Sequence, residues 1–257
     1  MRRHHLAIAA VLILMLGASS TAHAVKPDDN PATRAQGKVI FDRTCLWCHG
    51  VTGAGDGPAG WFLGRYAAPR PRNFTTGSFK FRSTPSGDLP TDQDLFRTVT
   101  KGIPGYMPSF ASLTEAERWQ VIAYLKSFSS AFRLETPVPL SFTDTPPPLG
   151  PESLDRGRAL YGRLDCQTCH GVEGRGDGPV AQAGDLRDVS GLQIQATDLS
   201  RPSSFKNGAT LQDLVRTLLT GLDGTPMPSY AARLTEADHD AWDLAHYIRS
   251  LSGESLP

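Results

Sequence analysis

The chain has 257 residues, and its 26 lysines and arginines balance its 26 aspartates and glutamates. This length predicts one or two domains, and the neutral total gives no reason to expect a nucleic-acid partner. No apolar stretch after residue 24 approaches the length of about 18 residues that a membrane-spanning helix needs, so we expect no transmembrane segment in the mature chain.

The first 24 residues have the pattern of a secretory signal peptide. A basic start, Met1-Arg2-Arg3, precedes an apolar run of 11 residues from Leu6 to Leu16, and Ala22-His23-Ala24 is a small-x-small cleavage site. The run is too short to span a membrane. The pattern predicts export by the Sec route, cleavage after Ala24 and a periplasmic mature protein, with an uncleaved membrane anchor as the alternative.

A helix is predicted before the first chemical motif, because Asn30 is a good N-cap and Pro31 fits the first helical position. The helix leads through Gly37 and Phe41 into Cys45-Leu46-Trp47-Cys48-His49, and the same C-x-x-C-H pattern returns as Cys166-Gln167-Thr168-Cys169-His170. This pattern is the signature of covalent c-type haem attachment. Two thiols three positions apart on one turn reach the two vinyl groups of one porphyrin, and the next side chain places its imidazole under the iron.

The two motifs use all four cysteines of the chain, so they predict two covalently bound haem c groups with His49 and His170 as proximal iron ligands. Three alternatives fit less well. A four-thiolate zinc site usually spaces its pairs about 15–20 residues apart, whereas these pairs lie 121 positions apart. A thioredoxin-like redox pair needs no histidine after it and lies near a βαβ pattern. Two structural disulfides leave both histidines without a role.

Gly-Asp-Gly-Pro follows each attachment motif, at residues 55–58 and again 121 positions later. It lacks the lysine of a phosphate-binding loop, so we interpret it as a tight turn after the attachment helix. A basic stretch then lies between Asp56 and Asp88, with no acidic residue of its own: Arg65, Arg70, Arg72, Lys80 and Arg82. Three interpretations stay open for these side chains, namely a solvated face, partners of haem propionates, or a docking patch.

Capping pairs predict two more helices in this part of the chain. One begins at Thr91 with Asp94 and ends at Gly102, and the other begins at Thr114 with Glu117. The face of the second helix carries apolar residues at helical spacing: Val121, Ile122, Leu125 and Phe128. Apolar residues are few for such long loops, so we expect a buried haem to supply the missing core.

Met107 lies between these two helices, and Met227 occupies the matching place later in the chain. Each precedes a proline and a serine, 58 residues after His49 and 57 after His170, and the other two methionines fall in the signal peptide. The proline stiffens the loop, and a stiff loop can hold a weak thioether on iron. We therefore predict His/Met ligation at both irons, although methionine more often fills a gap in a core.

The matched motifs indicate two copies of one domain, because a period of about 120 residues is too long for a solenoid. We assign residues 1–24 to the signal peptide, 25–134 to domain 1, 135–151 to a proline-rich, semi-rigid linker and 152–257 to domain 2. Helices of domain 2 are predicted from Thr210 with Asp213 to Gly221, and from Thr235 with Asp238. Residues 25–134 carry 14 basic and 9 acidic side chains, and residues 135–257 carry 10 and 17, so the halves have net charges of +5 and −7.

The early C-x-x-C-H, the Met-Pro in a late loop and the amphipathic last helix resemble a class I cytochrome c domain. Two such domains behind a signal peptide are similar to the periplasmic dihaem cytochromes c of bacteria, over nearly all of residues 25–257. The resemblance implies an all-α fold in which the first and last helices of each domain cross. The residues that match the small and aromatic positions of that crossing are Gly37, Phe41 and Tyr124 in domain 1, and Gly157, Tyr161 and Tyr247 in domain 2. The long segment between the Gly-Asp-Gly-Pro turn and the methionine loop, which includes residues 69–74 and 79–82, departs from the family. It resembles insertions in cytochrome subunits of larger respiratory complexes.

Histidine and methionine together close both axial positions of an iron, and the methionine raises its reduction potential. We therefore expect an electron-transfer protein rather than an enzyme. It would carry single electrons in the periplasm between a donor dehydrogenase or quinol-oxidising complex and an acceptor oxidase or reductase. The first alternative is a permanent cytochrome subunit of a larger oxidoreductase. A dihaem peroxidase needs an iron that opens, usually one without methionine, and we find no output domain for a haem-based sensor. His239 and His246 have no counterpart in domain 1, and we expect surface or hydrogen-bonded side chains there.

Overall fold

The computed structural model describes residues 25–64, 69–142, 145–234 and 239–253. The predicted signal peptide with Met1 and Met15, the basic residue Arg65, and the predicted capping pair of Thr235 and Asp238 lie outside these ranges. Within the ranges the regular structure is helical, and the β pairing consists of two isolated bridges. None of the helices described there is long and apolar enough to cross a membrane. The predicted all-α fold class is confirmed.

The five described α-helices of the second half follow one another in the same order as the first five of the first half. The first half contains α1 (Pro31–Thr44), α2 (Leu46–His49), α3 (Pro58–Gly64), α4 (Asp92–Lys101), α5 (Glu115–Lys126) and α6 (Ala131–Leu134), with a 3₁₀ turn at Phe74–Thr76. The second half contains α7 (Pro151–Arg163), α8 (Gln167–His170), α9 (Pro179–Gln182), α10 (Leu211–Thr220) and α11 (Asp240–Ser250), with a 3₁₀ turn at Pro202–Ser204.

Most of the long helices begin at side-chain caps that the sequence predicted. A side-chain oxygen accepts a backbone N–H at the starts of α1, α4, α5 and α10, where the caps are Asn30, Thr91, Thr114 and Thr210. Each such cap satisfies one backbone donor that the helix itself leaves free. Helix α11 has no side-chain cap of this kind. It begins directly after His239, whose φ of 55° is in the left-handed region.

Each half has its own apolar core, built where its first and last long helices cross. Helix α1 crosses α5, and α7 crosses α11, with a glycine at each crossing point. A Cβ on Gly37 or Gly157 would overlap a backbone carbonyl oxygen of the opposite helix, so these glycines allow the two backbones to touch. Aromatic rings pack edge-to-face beside each glycine, at 5.3 Å for Phe41 with Tyr124 and 5.4 Å for Tyr161 with Tyr247. The crossing that the family resemblance implied is present in both domains.

A buried polar cluster joins α7 to α11. The hydroxyl of Ser153 donates to Asp243 at 2.6 Å and accepts from Nδ1 of His246 at 2.7 Å. Arg156 donates to the same carboxylate at 2.6 Å. His246 is only 1% exposed, so the expectation of a hydrogen-bonded side chain is confirmed for it. Its burial, opposed by the charge of Asp243, lowers the pKa of its imidazole.

The two domains are joined by charged side chains that cross the boundary. Arg82 is completely buried, and its Nη2 donates to the carbonyl of Thr220 and to Asp223, both at 2.8 Å. Arg97 makes a second crossing contact, to Asp213 at 3.3 Å. All three interpretations of the basic stretch are therefore wrong for Arg82, because its donors are used inside the protein. Arg70, in contrast, is exposed.

The segment between the domains is also bound to both of them. The N–H of Leu140 donates to the carbonyl of Ser83 in domain 1 at 2.8 Å, while Leu140 and Phe142 pack against the core of domain 2. These contacts restrict the linker beyond what its prolines alone impose.

Candidate haem-attachment sites

Both C-x-x-C-H motifs form a single helical turn directly after the first long helix of their domain. The N–H of His49 donates to the carbonyl of Cys45 at 3.0 Å, and the N–H of His170 donates to that of Cys166 at 2.9 Å. The two thiols and the imidazole of each motif therefore lie on one turn. None of the four cysteines forms a disulfide, and the described residues contain no group of three or more histidine, cysteine or acidic side chains placed to hold a metal ion.

Each histidine of these motifs is oriented by a backbone carbonyl. Nδ1 of His49 lies 3.1 Å from the carbonyl oxygen of Arg72, and Nδ1 of His170 lies 2.9 Å from that of Thr197. A carbonyl can only accept, so Nδ1 carries the proton and Nε2 keeps its lone pair. Burial lowers the pKa of both imidazoles, which favours the neutral form. A neutral imidazole with a free Nε2 and a fixed Nδ1–H is the form that ligates a metal.

The Gly-Asp-Gly-Pro turn folds back on the attachment helix. In domain 1 the N–H of Gly55 donates to the carbonyl of His49 at 2.9 Å, and the N–H of Gly57 donates to that of Cys48 at 3.2 Å. Domain 2 repeats both bonds, at 2.8 and 3.2 Å. The interpretation as a tight turn is confirmed. The N–H groups of the turn satisfy the last two backbone carbonyls of the short helix, which have no acceptor role within it.

A cavity opens beside the attachment motif of domain 2. Cys166, Cys169, His170 and Met227 all line it, so the structure brings together the four residues that the sequence predicted for this site. Much of the remaining wall is apolar, and its larger members are Tyr161, Leu186, Leu199, Phe205, Leu214, Leu218 and Ile248. An apolar cavity with two thiols at its edge, a fixed imidazole and a thioether suits a porphyrin. The residues present therefore fit haem c.

Three of the corresponding residues of domain 1 adjoin one aromatic core. Cys45 and Met107 pack against that core, and the imidazole of His49 stacks on Phe74, with ring centroids 4.4 Å apart. The same donor types as in domain 2 are present, and the His49 ring has the same backbone anchor. Domain 1 therefore offers the same donor types for haem c as domain 2.

The two methionine loops are built alike. Ile103 and Met107 exchange two backbone hydrogen bonds, at 2.8 and 2.9 Å, and Leu222 donates to the carbonyl of Met227 at 3.1 Å. Gly102 and Gly221, with φ of 70° and 67°, end the preceding helices directly under these loops, where a Cβ would collide with the loop backbone. The sequence indicated both glycines as helix ends but did not show that their missing side chains allow the methionine loops to pack against them. Their recurrence before both Met-Pro pairs was the available signal.

Two side chains at the domain 2 cavity come from domain 1. Pro69 and Lys80 line it together with Lys206 of domain 2. Sequence reasoning did not indicate this arrangement, because nothing local to Lys80 shows that it contacts another domain.

Two all-α domains, each with a thiol pair and an Nδ1-anchored histidine on one turn, define a c-type cytochrome by fold and site. Comparison with known proteins gives the same class. The family model described as "Cytochrome c" matches residues 154–252, and the model described as "Cytochrome C oxidase, cbb3-type, subunit III" matches residues 32–125.

Two relatives extend over both domains. The cbb3-type cytochrome c oxidase subunit FixP of Azorhizobium caulinodans is 26% identical over 227 residues, which are 86% of this chain and 60% of that protein. The chain therefore spans less than two thirds of that curated relative. A chain in the structure of the Kuenenia stuttgartiensis reducing HAO-like protein complex is 43% identical with a TM-score of 0.76, covering 84% of this chain and 95% of that one. The chain belongs to the cytochrome c family, with two of its domains in tandem, and this membership implies covalent haem c and electron transfer.

Proposed function

We propose that this chain is an exported dihaem cytochrome c that passes single electrons between a donor and an acceptor protein. Each domain would hold one haem, and the residues that bind them are Cys45, Cys48, His49 and Met107 in domain 1, and Cys166, Cys169, His170 and Met227 in domain 2. The observation that carries the proposal is the cavity of domain 2, which all four residues of the second set line. When bound, haem c supplies a one-electron iron couple.

The chain's own groups account for the rest of the function. The carbonyls of Arg72 and Thr197 hold each imidazole in one tautomer and one orientation, so little reorganisation is needed when an electron moves. Met107 and Met227, as second iron ligands beside His49 and His170, would leave no position for a substrate on either iron and would raise its potential. The largely apolar cavity wall of domain 2 would limit the contact of the bound haem with water, which disfavours the more highly charged oxidised site.

A count of covalent haems tests the proposal. The intact mass of the exported protein should equal that of residues 25–257 plus two haems, and the haem should survive extraction with acidified acetone. Replacing Cys45 and Cys48 with serine should remove one haem and leave the haem of domain 2 in place. A wild-type chain with a single haem, or haem that the solvent extracts, contradicts the proposal.

A second form of this function is a permanent subunit of a larger oxidoreductase rather than a free carrier. Four exposed apolar side chains favour it, on the contacting helices α2 and α3 and the turn between them: Trp47 is 65% exposed, Val51 72%, Trp61 54% and Phe62 82%. Domain 2 has Thr168 in the place of Trp47. Exposed apolar groups of this size, near an attachment motif, suit a lasting protein contact. The 43% identical relative is also part of a protein complex.

Purification from the native cell separates the two forms. A subunit elutes with partner proteins through gel filtration at high salt, and a carrier elutes alone. If the exposed aromatic residues make the contact, Trp47→Thr, which copies domain 2, should release the partner. Val172→Ser, at an exposed valine of domain 2, is the matched control and should not. Co-elution that Trp47→Thr leaves intact contradicts the role of this surface.

A further inference from the structure

Residues 69–82, which we call the bridging segment, belong to domain 1 but reach the candidate sites of both domains. The carbonyl of Arg72 accepts from His49, and the ring of Phe74 stacks on the same imidazole. A little further along the segment, Lys80 lines the cavity of domain 2. One continuous stretch of chain therefore touches the imidazole of one site and closes the cavity of the other.

The position of Lys80 is fixed from both sides. Its neighbours Phe79 and Phe81 are buried, at 6% and 8% exposure, and Phe79 stacks on Phe74 at 6.1 Å in the core of domain 1. Arg82 donates to the carbonyl of Phe79 at 3.2 Å, and reaches the carbonyl of Thr220 in domain 2 at 2.8 Å. These contacts hold the backbone of Lys80 at the domain boundary, so its place in the cavity wall does not depend on a flexible loop.

The charges around Lys80 are mostly of one sign. Lys206 lines the same cavity, and Arg72 lies within electrostatic range of Lys80. Burial and the repulsion from these two cations lower the pKa of Lys80 to about 8, opposed by Asp188. Within the described ranges no carboxylate forms an ion pair with Lys80 or Lys206. Two partly buried ammonium groups facing one cavity are unfavourable unless an anion lies between them.

We propose that Lys80 of domain 1 and Lys206 of domain 2 form a carboxylate-binding pair that holds the propionates of the haem attached in domain 2. The inference rests on the proposed function, because that function places the haem in this cavity. Propionates are the charged groups at the edge of a haem, and two ammonium groups in the wall of an otherwise largely apolar cavity complement them. Domain 1 thereby completes the cofactor site of domain 2.

Lys206 adds a link to the other site. Its Nζ lies 4.7 Å from the ring centroid of Tyr106, the residue directly before Met107. The lysine that lines the cavity of domain 2 therefore also contacts the methionine loop of domain 1. A cation over an aromatic face is favourable, so this contact helps to hold Lys206 at the boundary.

The test is a redox titration of the intact two-haem protein with Lys80→Gln. The haem of domain 2 is identified by nuclear Overhauser contacts between its methyl groups and Leu218 or Ile248, which line its cavity. Loss of the cation leaves the propionates uncompensated and favours oxidised iron, so its midpoint should fall. We expect about a tenfold smaller ratio of reduced to oxidised haem at a given potential, which is about 59 mV for one electron. The midpoint of the domain 1 haem should move much less.

Matched variants complete the design. Lys80→Arg keeps the charge and should restore the midpoint, and Lys206→Gln should repeat the fall. Lys38→Gln removes an exposed lysine of α1 that pairs with Asp42, and it should shift neither haem. The intact mass of each variant is measured first, so that its haem count is known before the potentials are compared.

Three outcomes overturn the inference. The inference is overturned if the midpoint potential of the domain 2 haem is unchanged in Lys80→Gln. It is also overturned if only the haem of domain 1 shifts. A wild-type midpoint that changes with added inorganic phosphate as much as with the mutation would mean that a free anion occupies the pair. A wild-type chain with fewer than two haems contradicts the proposed function instead, so the two failures are distinguishable.

Discussion

Asp223 of domain 2 accepts hydrogen bonds from three donors of domain 1, and its removal should strongly lower the free energy of unfolding. The donors are Arg82 at 2.8 Å, the hydroxyl of Ser86 at 2.7 Å and the N–H of Gly87 at 2.9 Å. The side chain of Arg82 is 0% exposed and that of Asp223 is 15% exposed. Asp223→Ala therefore leaves a guanidinium buried without its counter-charge.

The size of the loss follows from that burial. Breaking one side of a buried ion pair costs about 3–5 kcal/mol, because the remaining charge stays out of water. Arg82 keeps carbonyl acceptors at Thr220, Pro85 and Phe79, so we expect the lower end, about 3 kcal/mol. The second single variant is Arg82→Met, and the double variant Arg82→Met with Asp223→Ala removes the stranded charge. The double variant should lose less than the sum of the single variants, by at least about 1.5 kcal/mol.

Urea unfolding of the haem-loaded protein measures these free energies. Far-ultraviolet circular dichroism follows both domains, and haem absorbance follows the two cofactor sites. With the contact intact the domains should unfold in one transition, and Asp223→Ala should separate it into two. Glu173→Ala breaks an exposed pair with Arg175, whose side chains are 69% and 65% exposed, and should change stability by less than about 1 kcal/mol.

The reasoning is refuted if the losses of the two single variants simply add in the double variant, because additivity means that the charges do not interact. It is equally refuted if Asp223→Ala loses no more than the exposed control does.

Three further predictions concern other parts of the chain. The oxidised protein should show a weak near-infrared sulfur-to-iron band, whose intensity falls by about half in Met107→Ala and which disappears when Met227→Ala is added. A band of full intensity in the single variant contradicts methionine ligation by Met107. Gly157→Ala should lower the free energy of unfolding by about 2 kcal/mol, because the new Cβ overlaps the backbone of α11. The control is Gly162→Ala in the same helix, where the Cβ meets open space. That variant should be neutral or stabilising by up to about 1 kcal/mol. Burial holds the pKa of His246 below its usual 6.5, so the unfolded chain takes up the proton first and stability should fall as pH drops below about 6.5. Because His49 and His170 contribute in the same direction, stability plotted against pH should become less steep, but not flat, in His246→Gln.

Local features of the sequence determined the helices and the chemistry of the sites. The cap at Thr91 and the helix end at Gly102 depend on residues a few positions apart, and both are in the structure. The C-x-x-C-H motif likewise places its groups on one turn, because the spacing between Cys45 and His49 is fixed along the chain. These inferences succeeded because their physical causes act over one or two helical turns.

The family resemblance extended this to one long-range feature, the helix crossing. Gly37 and Gly157 match a pattern of small residues, and the structure shows backbone contact at both. The pattern did not show the carbonyls of Arg72 and Thr197 that orient the two histidines. A carbonyl is present at every residue, so no side-chain signal marks the ones that accept these bonds.

Only the tertiary structure decided what the basic stretch does. The sequence treats Arg70, Lys80 and Arg82 alike, as cations in a loop. The structure exposes the first, places the second in the cavity of the other domain and buries the third against Asp223, 141 positions away. Charge and hydropathy are properties of one residue, whereas burial depends on which distant surface packs against it. The sequence therefore predicted two similar candidate sites, and the packing of one domain on the other determined that Lys80 of domain 1 lines the cavity of domain 2.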